Sequence, residues 1–330
     1  MITVTLYHQA DQTEKSEIKL LLEKMQQSNP HQLIEIDVAR NPEFLEKVGP
    51  DLPMLECGPY HLRWPFTEQD MMVVLTSASQ RREYLEQTGD RTYQQRVERG
   101  SRFTGLDRFV LWLSRHYMAV FNTALFLFVG LAFLAPVLAK SGQMRGASLI
   151  YKGYSILCHQ LAFRSYFLFG AQPFYPLERA GVAGVAPYEQ MISDVDILTA
   201  RQFIGNEHLG FKTALCERDI AIYLGFLGFG LVFSLLKNKG KPLNWLIWIL
   251  LGIFPIALDG FSQLPGLASN MPAWLPIRES TPLLRTITGL LFGVSTAWFL
   301  FPYVADSMKE TRTILLGKLE YIQQLSGKGG

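Results

Sequence analysis

The chain has 330 residues, which is room for two domains, and 48% of them are apolar. The formal net charge is only +2 and no basic run with interleaved aromatic residues occurs, so we expect no nucleic-acid partner. Three cysteines, Cys57, Cys158 and Cys216, are too few for a disulfide-built scaffold and allow at most one internal bridge. Residues 1–108 are polar and charged, whereas much of 117–305 falls into long uncharged apolar segments. The sequence therefore predicts a soluble domain followed by a membrane domain.

Strand and helix patterns alternate over the first 85 residues. Ile2 to Tyr7 alternates β-branched and polar residues as a strand does, and Glu14 to Met25 has helical apolar spacing. Further segments are a strand at 33–38, a short helix at 41–48, a hairpin over 53–63 and a helix that begins at 67–75. This order resembles the thioredoxin fold, and specifically small glutaredoxin-like domains. The resemblance implies an N-terminal α/β domain over residues 1–85.

The redox motif of those domains is missing here. Their Cys-x-x-Cys lies between the first strand and the first helix, where this chain reads Tyr7 to Gln12 without a cysteine. Leu52-Pro53 matches the position of the family's cis-proline, and Cys57 is interpreted as a small strand residue. We therefore expect a binding or regulatory module, or a structural remnant, without disulfide-exchange activity.

Four uncharged segments have the length and composition of membrane helices: 117–139, 220–236, 243–258 and 286–305. Basic residues cluster before the first segment, between the second and third, and after the fourth. The positive-inside rule then places both termini in the cytoplasm and residues 140–219 outside. In this topology the more polar segment 149–170 is a re-entrant or interfacial helix and not a fifth span.

These patterns predict four regions along the chain. They are a thioredoxin-like domain at 1–85, a charged linker and interfacial helix at 86–116, a membrane domain at 117–305 with an outer loop at 171–215, and a cytoplasmic tail at 306–330. The predicted fold is an α-helical multi-pass membrane protein with an N-terminal α/β domain. Its expected location is a bacterial inner membrane.

Polar clusters fall at one level, near the outer ends of the predicted helices. They are Cys158-His159-Gln160, Arg164-Ser165, Cys216-Glu217-Arg218-Asp219, Asp259-Gly260 with Gln263, and Arg278-Glu279-Ser280-Thr281 with Arg285. Ionisable groups at such positions are costly unless they face protein or water, so their convergence indicates a site. Together these motifs resemble an uncharacterised family of predicted bacterial membrane proteins, a domain of unknown function. The resemblance covers residues 147–295 and implies no particular reaction.

The residue types suit a metal-assisted enzyme. Cys158, His159 and Cys216 are candidate ligands for a zinc or iron ion. Asp219, Asp259 and Arg218 are candidate catalytic residues. The candidate substrate-binding residues are Gln160, Arg164, Gln263, Arg278 and Arg285, because guanidinium groups suit phosphates and carboxylates. The expected partners are the lipid bilayer and a lipid-linked or anionic small molecule.

A non-catalytic interpretation stays open on the same residues. Cys158 and Cys216 could form a structural disulfide, which an oxidising outer face would favour. The arginines could pair internally, Arg218 or Arg285 with Asp259 and Arg278 with Glu279. The protein would then be a membrane binding or scaffold component.

Overall fold

The computed structural model describes residues 2–9, 14–39, 44, 48–49, 51–100, 102–192, 196–263 and 278–327. The chain divides into two compact units, one formed by Met1–Arg115 with Ser307–Gly330 and the other by His116–Asp306. Most of the predicted helix at 41–48 lies outside the described residues.

The first unit is built on a mixed four-stranded sheet. Its strands are β1 Ile2–His8, β2 His31–Asp37, β3 Met54–Cys57 and β4 Tyr60–Arg63, in the order β2-β1-β3-β4. Strand β1 runs parallel to β2 and antiparallel to β3, and β3 and β4 form the predicted hairpin. The unit is therefore an α/β structure with a mixed sheet.

Successive residues of β1 point to opposite faces of this sheet, and each face is covered. Leu6 packs with helix α1, Glu14–Met25, through Ile18 and Leu22. Its neighbour Tyr7 packs on the other side with Ile34 and Phe44. Cys57 is fully buried at the end of β3, and burial raises the pKa of its thiol to about 11.

Two helices follow the sheet where the sequence predicts a shorter helix and a linker. Helix α2 spans Glu68–Gln87 and α3 spans Arg91–Gly100. A capping box begins α2, since Thr67 accepts a hydrogen bond from the backbone N–H of Asp70 while Asp70 accepts one from Thr67. The charged residues after Ala78 therefore continue a helix.

Helices α4, Gly105–Lys140, and α10, Pro282–Gly327, are longer than predicted. The predicted interfacial helix and first crossing are one continuous helix of 36 residues. The predicted fourth crossing and the tail helix likewise form one helix of 46 residues, with Pro302 inside it. The charged segments at these helix ends are helical extensions and not separate elements.

Three helices are long and apolar enough to span a membrane: α4, α8 at Glu217–Leu235, and α10. A fourth apolar helix, α9 at Trp245–Phe261, is shorter and has a π-helical turn at Ile249–Ile253. At 1.5 Å per residue its length is about 25 Å, somewhat less than the ~30 Å hydrocarbon core. The chain is thus a membrane protein with three candidate spans among the described residues.

Glycines allow α8 and α10 to pack closely. A Cβ atom on Gly225 would lie 2.9 Å from the backbone nitrogen of Val294, and one on Gly293 would lie 2.2 Å from the carbonyl oxygen of Ile222. A Cβ atom on Gly228 would have no neighbouring atom within 4 Å, so this glycine takes no part in the contact. The glycines therefore serve helix packing at Gly225 and Gly293.

A small antiparallel sheet occupies the region predicted to be an interfacial segment and a loop. Helix α5, Met144–Tyr154, is followed by β5, Ser165–Leu168, so residues 149–170 form no continuous span. Strands β6, Gly205–Asn206, and β7, Gly210–Cys216, complete the order β5-β7-β6. Short helices α6, Tyr188–Met191, and α7, Ile197–Gln202, lie in the connection.

Candidate functional site

A tight turn after α5 carries Cys158. Gln160 adopts a left-handed backbone conformation with φ of 53°. Its buried side-chain amide donates to the carbonyl oxygens of Tyr151 at 3.0 Å and Ala214 at 2.8 Å. The buried ammonium of Lys212 donates to the carbonyl oxygen of Gln160 at 2.6 Å. Gln160, predicted to bind substrate, therefore uses its amide nitrogen to fix the Cys158 turn to strand β7.

Two thiols and a carboxylate meet where β7 passes into α8. The Sγ atoms of Cys158 and Cys216 and a carboxylate oxygen of Asp219 all lie within 4.8 Å of one another. Cys216 is the N-cap of α8, and Asp219 is three residues further, on the same face of the first turn. Both thiols are free, and the neighbouring Cys158 thiol together with burial raises the pKa of Cys216.

His159 is not part of this group. Its side chain is exposed, whereas that of Cys158 is buried, as expected for adjacent residues that point in different directions. Asp219, predicted to be catalytic, takes the third position beside the thiols instead. Among the described residues, the ligand set offered to a metal ion is thus two cysteines and one aspartate.

A buried ion cluster lies at the beginning of α10. Arg164 holds Glu279 through two parallel hydrogen bonds of 2.8 and 2.9 Å. Arg285 also donates to Glu279, and it reaches Glu217 and the side-chain oxygen of Gln263 at 3.3 Å each. Both carboxylates and Arg285 are almost fully buried. These charges compensate one another in a medium that would penalise each alone.

A second ion cluster forms around Asp259 on α9. Arg218 donates to its carboxylate, Ser280 donates at 3.1 Å, and a guanidinium nitrogen of Arg278 lies at 3.7 Å. The side-chain amide of Gln263 donates to the backbone carbonyl of Asp259 at 2.6 Å. Of the predicted internal pairs, Arg218 with Asp259 is present, whereas Arg285, and not Arg278, is bonded to Glu279.

A cavity of about 440 Å³ connects the thiol group with the arginines. Its polar wall contains Cys158, His159, Gln160, Arg164, Cys216, Arg218, Asp219, Gln263 and Arg285. Leu157 and Ile197 form an apolar part of the wall. Nine of the eleven site residues predicted from sequence therefore line one cavity; Asp259 and Arg278 support it through Arg218 and Ser262.

Three further buried residues organise this site. Glu217 and Glu279, which belong to the predicted polar clusters, are the partners of Arg285. Lys212, which the sequence analysis missed, fixes the Cys158 turn. Glu279 was assigned only to its neighbour Arg278, because pairing across 115 positions with Arg164 leaves no local signal. A lysine in an otherwise apolar strand was the available signal for Lys212.

Comparison with known proteins finds a family match for part of the chain. Residues 201–299 match the profile of a family described as "Predicted membrane protein (DUF2085)". This stretch is similar to DUF2085 domains. It includes Cys216, Asp219, Asp259 and Arg285, so the predicted resemblance to an uncharacterised membrane protein family is confirmed there. Neither Cys158 nor Arg164 lies inside the matched range.

The chain is also similar to an individual protein, over a longer stretch than the profile match. The chain is 25% identical over 198 residues to the uncharacterized protein MJ1492 of Methanocaldococcus jannaschii, covering 58% of this chain and 93% of that protein. No solved structure matches the chain. The match to DUF2085 thus supports a membrane protein and specifies no reaction.

Proposed function

We propose that the DUF2085 region, with residues 144–200 added, forms a metal-assisted membrane enzyme for an anionic substrate. One observation carries this proposal: a single cavity is lined by Cys158, Cys216 and Asp219 and also by three arginines. Two thiolates and a carboxylate suit a zinc ion, and three protein ligands leave its fourth position open. An ion held by Cys158, Cys216 and Asp219 would supply Lewis-acid and water-activating chemistry.

The three residues divide the chemistry. Cys158 and Cys216 supply soft thiolate ligands, which favour zinc or iron over magnesium or calcium. Asp219 supplies the third ligand or, if the ion binds through the thiols alone, a base for the bound water. Arg218 and Arg164 orient the anionic group of the substrate. Asp259 is a positioning residue, because it contacts Arg218 and does not line the cavity.

The cellular placement is a further part of the proposal. Basic residues before α4, between α8 and α9, and after residue 306 support a topology with both termini in the cytoplasm. That topology uses α9 as a short third crossing and places the cavity near the outer face of a bacterial inner membrane. Chemical labelling of single cysteines introduced at positions 145 and 239 would test it, since only the first would react from outside.

The N-terminal unit is proposed to be a thioredoxin-like module without redox function. Its support is the strand order β2-β1-β3-β4 with the antiparallel β3–β4 hairpin. Its cysteine, Cys57, is buried in the core and is not a nucleophile exposed on a loop. Without the dithiol, the proposed role of this unit is that of a binding or regulatory module, or of a structural remnant.

Metal analysis of the detergent-purified protein tests the enzyme proposal. We expect about one zinc or iron per chain, with Cys158→Ser and Cys216→Ser each removing most of it and Cys57→Ser serving as the matched control. Asp219→Asn should weaken retention of the ion against a chelator by about 10- to 100-fold. Equal metal content in the wild type and the three cysteine variants would refute the site.

The same preparation tests the non-catalytic alternative, which the internal pairing of the arginines favours. A bridge between Cys158 and Cys216 would leave one titratable thiol of three under denaturing, non-reducing conditions. A metal site predicts three thiols after chelation. One thiol without metal would favour a structural bridge and a scaffold role.

A further inference from the structure

The cavity lining combines cationic and apolar side chains. Arg164, Arg218 and Arg285 line it together with Leu157 and Ile197. The two apolar side chains are 64% and 43% exposed, so they also lie on the surface of the unit. Ile156 and Leu198, the next residues along the chain, are exposed as well. An apolar surface thus continues outward from a cationic cavity.

The arginines retain donors for a ligand. Arg164 donates hydrogen bonds from its Nε and Nη2 groups to Glu279, and Arg218 donates one from its Nη2 group to Asp259. Within the described part of the chain, no hydrogen bond engages Nη1 of either side chain. The two side chains are 18% and 22% exposed, so they are accessible from the cavity.

The balance of charge in the two ion clusters is positive. Three buried carboxylates, those of Glu217, Asp259 and Glu279, are shared among five arginines. The arginines are Arg164, Arg179, Arg218, Arg278 and Arg285. The cavity also holds the Asp219 carboxylate, so five arginines face four carboxylates and one positive charge is left for an anionic ligand. A phosphate monoester has three acceptor oxygens, one more than a carboxylate, for the donors left on Arg164 and Arg218.

We propose that the cavity binds the phosphate head group of a lipid monophosphate, whose hydrocarbon chain leaves past Leu157 and Ile197. The inference deepens the proposed function, on which it rests for the role of the cavity as a substrate site. Phosphate oxygens accept from Nη1 of Arg164 and Arg218, a geometry that the arginine fork favours. The cavity volume of about 440 Å³ suits a head group and not a whole lipid. The chain therefore lies on the apolar surface, at the level where a bilayer supplies it.

Ligand-dependent thermal unfolding of the full-length protein in maltoside micelles tests the inference. The probes are dodecyl phosphate, inorganic phosphate and dodecanol, since a ligand that binds the folded state raises the unfolding midpoint. We expect dodecyl phosphate to bind at least tenfold more tightly than inorganic phosphate and dodecanol to produce no saturable shift. Arg164→Gln and Arg218→Gln should weaken dodecyl phosphate binding about tenfold or more.

Two further variants separate the contributions of the head group and the chain. Leu157→Gln should weaken dodecyl phosphate about fivefold and leave inorganic phosphate unchanged. Arg145→Gln, an exposed residue of α5, is the matched control and should change neither. If Arg164→Gln does not fold, Arg164→Lys keeps the charge without the fork and should show an intermediate loss.

The possible results discriminate between the two proposals. Equal affinity for inorganic and dodecyl phosphate, with no effect of Leu157→Gln, would mean a free-phosphate site and overturn the lipid assignment. If neither Arg164→Gln nor Arg218→Gln weakens dodecyl phosphate binding, the assignment of the site itself is overturned. Metal content is read separately on the same samples, so loss of the metal with retained phosphate binding would refute the enzyme proposal alone.

Discussion

Removal of the Arg285 guanidinium should be among the most destabilising changes in the membrane unit. The side chain contacts Glu217, Glu279 and Gln263, and all of these groups are nearly inaccessible to solvent. In Arg285→Met, Glu279 keeps the two hydrogen bonds from Arg164. Glu217 loses the partner of its Oε2 atom, while its Oε1 atom already has none among the described residues.

The expected cost follows from leaving this carboxylate buried and unpaired. Breaking a buried pair by removing one partner typically costs about 3–5 kcal/mol. The double variant Arg285→Met with Glu217→Gln removes the orphan charge, so it should be about 1–3 kcal/mol more stable than the sum of the single changes predicts. Most of the loss in the free energy of unfolding therefore comes from the unpaired glutamate, and less comes from lost contacts.

Reversible unfolding by dodecyl sulfate in mixed micelles, followed by tryptophan fluorescence, measures both quantities. Arg145→Met removes an exposed arginine of α5 and should change the free energy of unfolding by less than about 0.5 kcal/mol. A cost below about 1 kcal/mol for Arg285→Met, or strict additivity in the double variant, would refute the reasoning.

Three further predictions concern other parts of the chain. Burial lowers the pKa of Lys212 to about 7, below its unfolded value of 10.5. The unfolded state therefore binds more protons between about pH 7 and 10.5, so the free energy of unfolding should rise with pH across that range. In Lys212→Met, the free energy of unfolding should rise less over the same range. Gly293→Ala should lower the dodecyl sulfate midpoint by an amount equivalent to about 1–3 kcal/mol, because its Cβ would meet a backbone oxygen at 2.2 Å, whereas Gly228→Ala should be neutral or stabilising. Thr67→Ala should cost about 1 kcal/mol locally and speed amide hydrogen exchange in the first turn of α2, with Thr67→Ser retaining protection.

Local patterns predicted the N-terminal sheet well. The alternation of Ile2 to Tyr7 corresponds to β1 with both faces covered, and the Gly58-Pro59 turn joins β3 to β4. By contrast, β7 gives no alternating signal, because six of its seven residues are buried on both faces. Most of β7 therefore falls in the predicted outer loop at 171–215, whereas three backbone carbonyls accept from the ammonium of its Lys212.

Helix ends were predicted less accurately than helix centres. The sequence separates an interfacial helix from a spanning helix where charge gives way to apolar residues, near Tyr117 and again near Ala305. Charge alone does not stop a helix, and Pro302, three residues before the second boundary, lies inside α10 without ending it. Helices α4 and α10 therefore run through both boundaries.

Topology located the site, but the pairings inside it required the structure. Placing the helix ends at one level was enough to group Arg164, Arg218, Asp259 and Arg285. The partner of each arginine depends on side-chain directions over separations such as the 115 residues between Arg164 and Glu279. Proximity in sequence favoured Glu279 for Arg278, although Arg285, six residues after Glu279, is bonded to it instead.

The buried charges are better explained by function than by stability. Well-packed apolar residues in place of a buried ion pair are often neutral or stabilising, so folding alone does not require five arginines around three carboxylates. Arg164, Arg218 and Arg285 line the same cavity that holds two thiols and Asp219. An anionic ligand bound there would satisfy the unused donors of Arg164 and Arg218. Ligand binding should therefore stabilise the wild-type unit more than any variant in which one of those two arginines is lost.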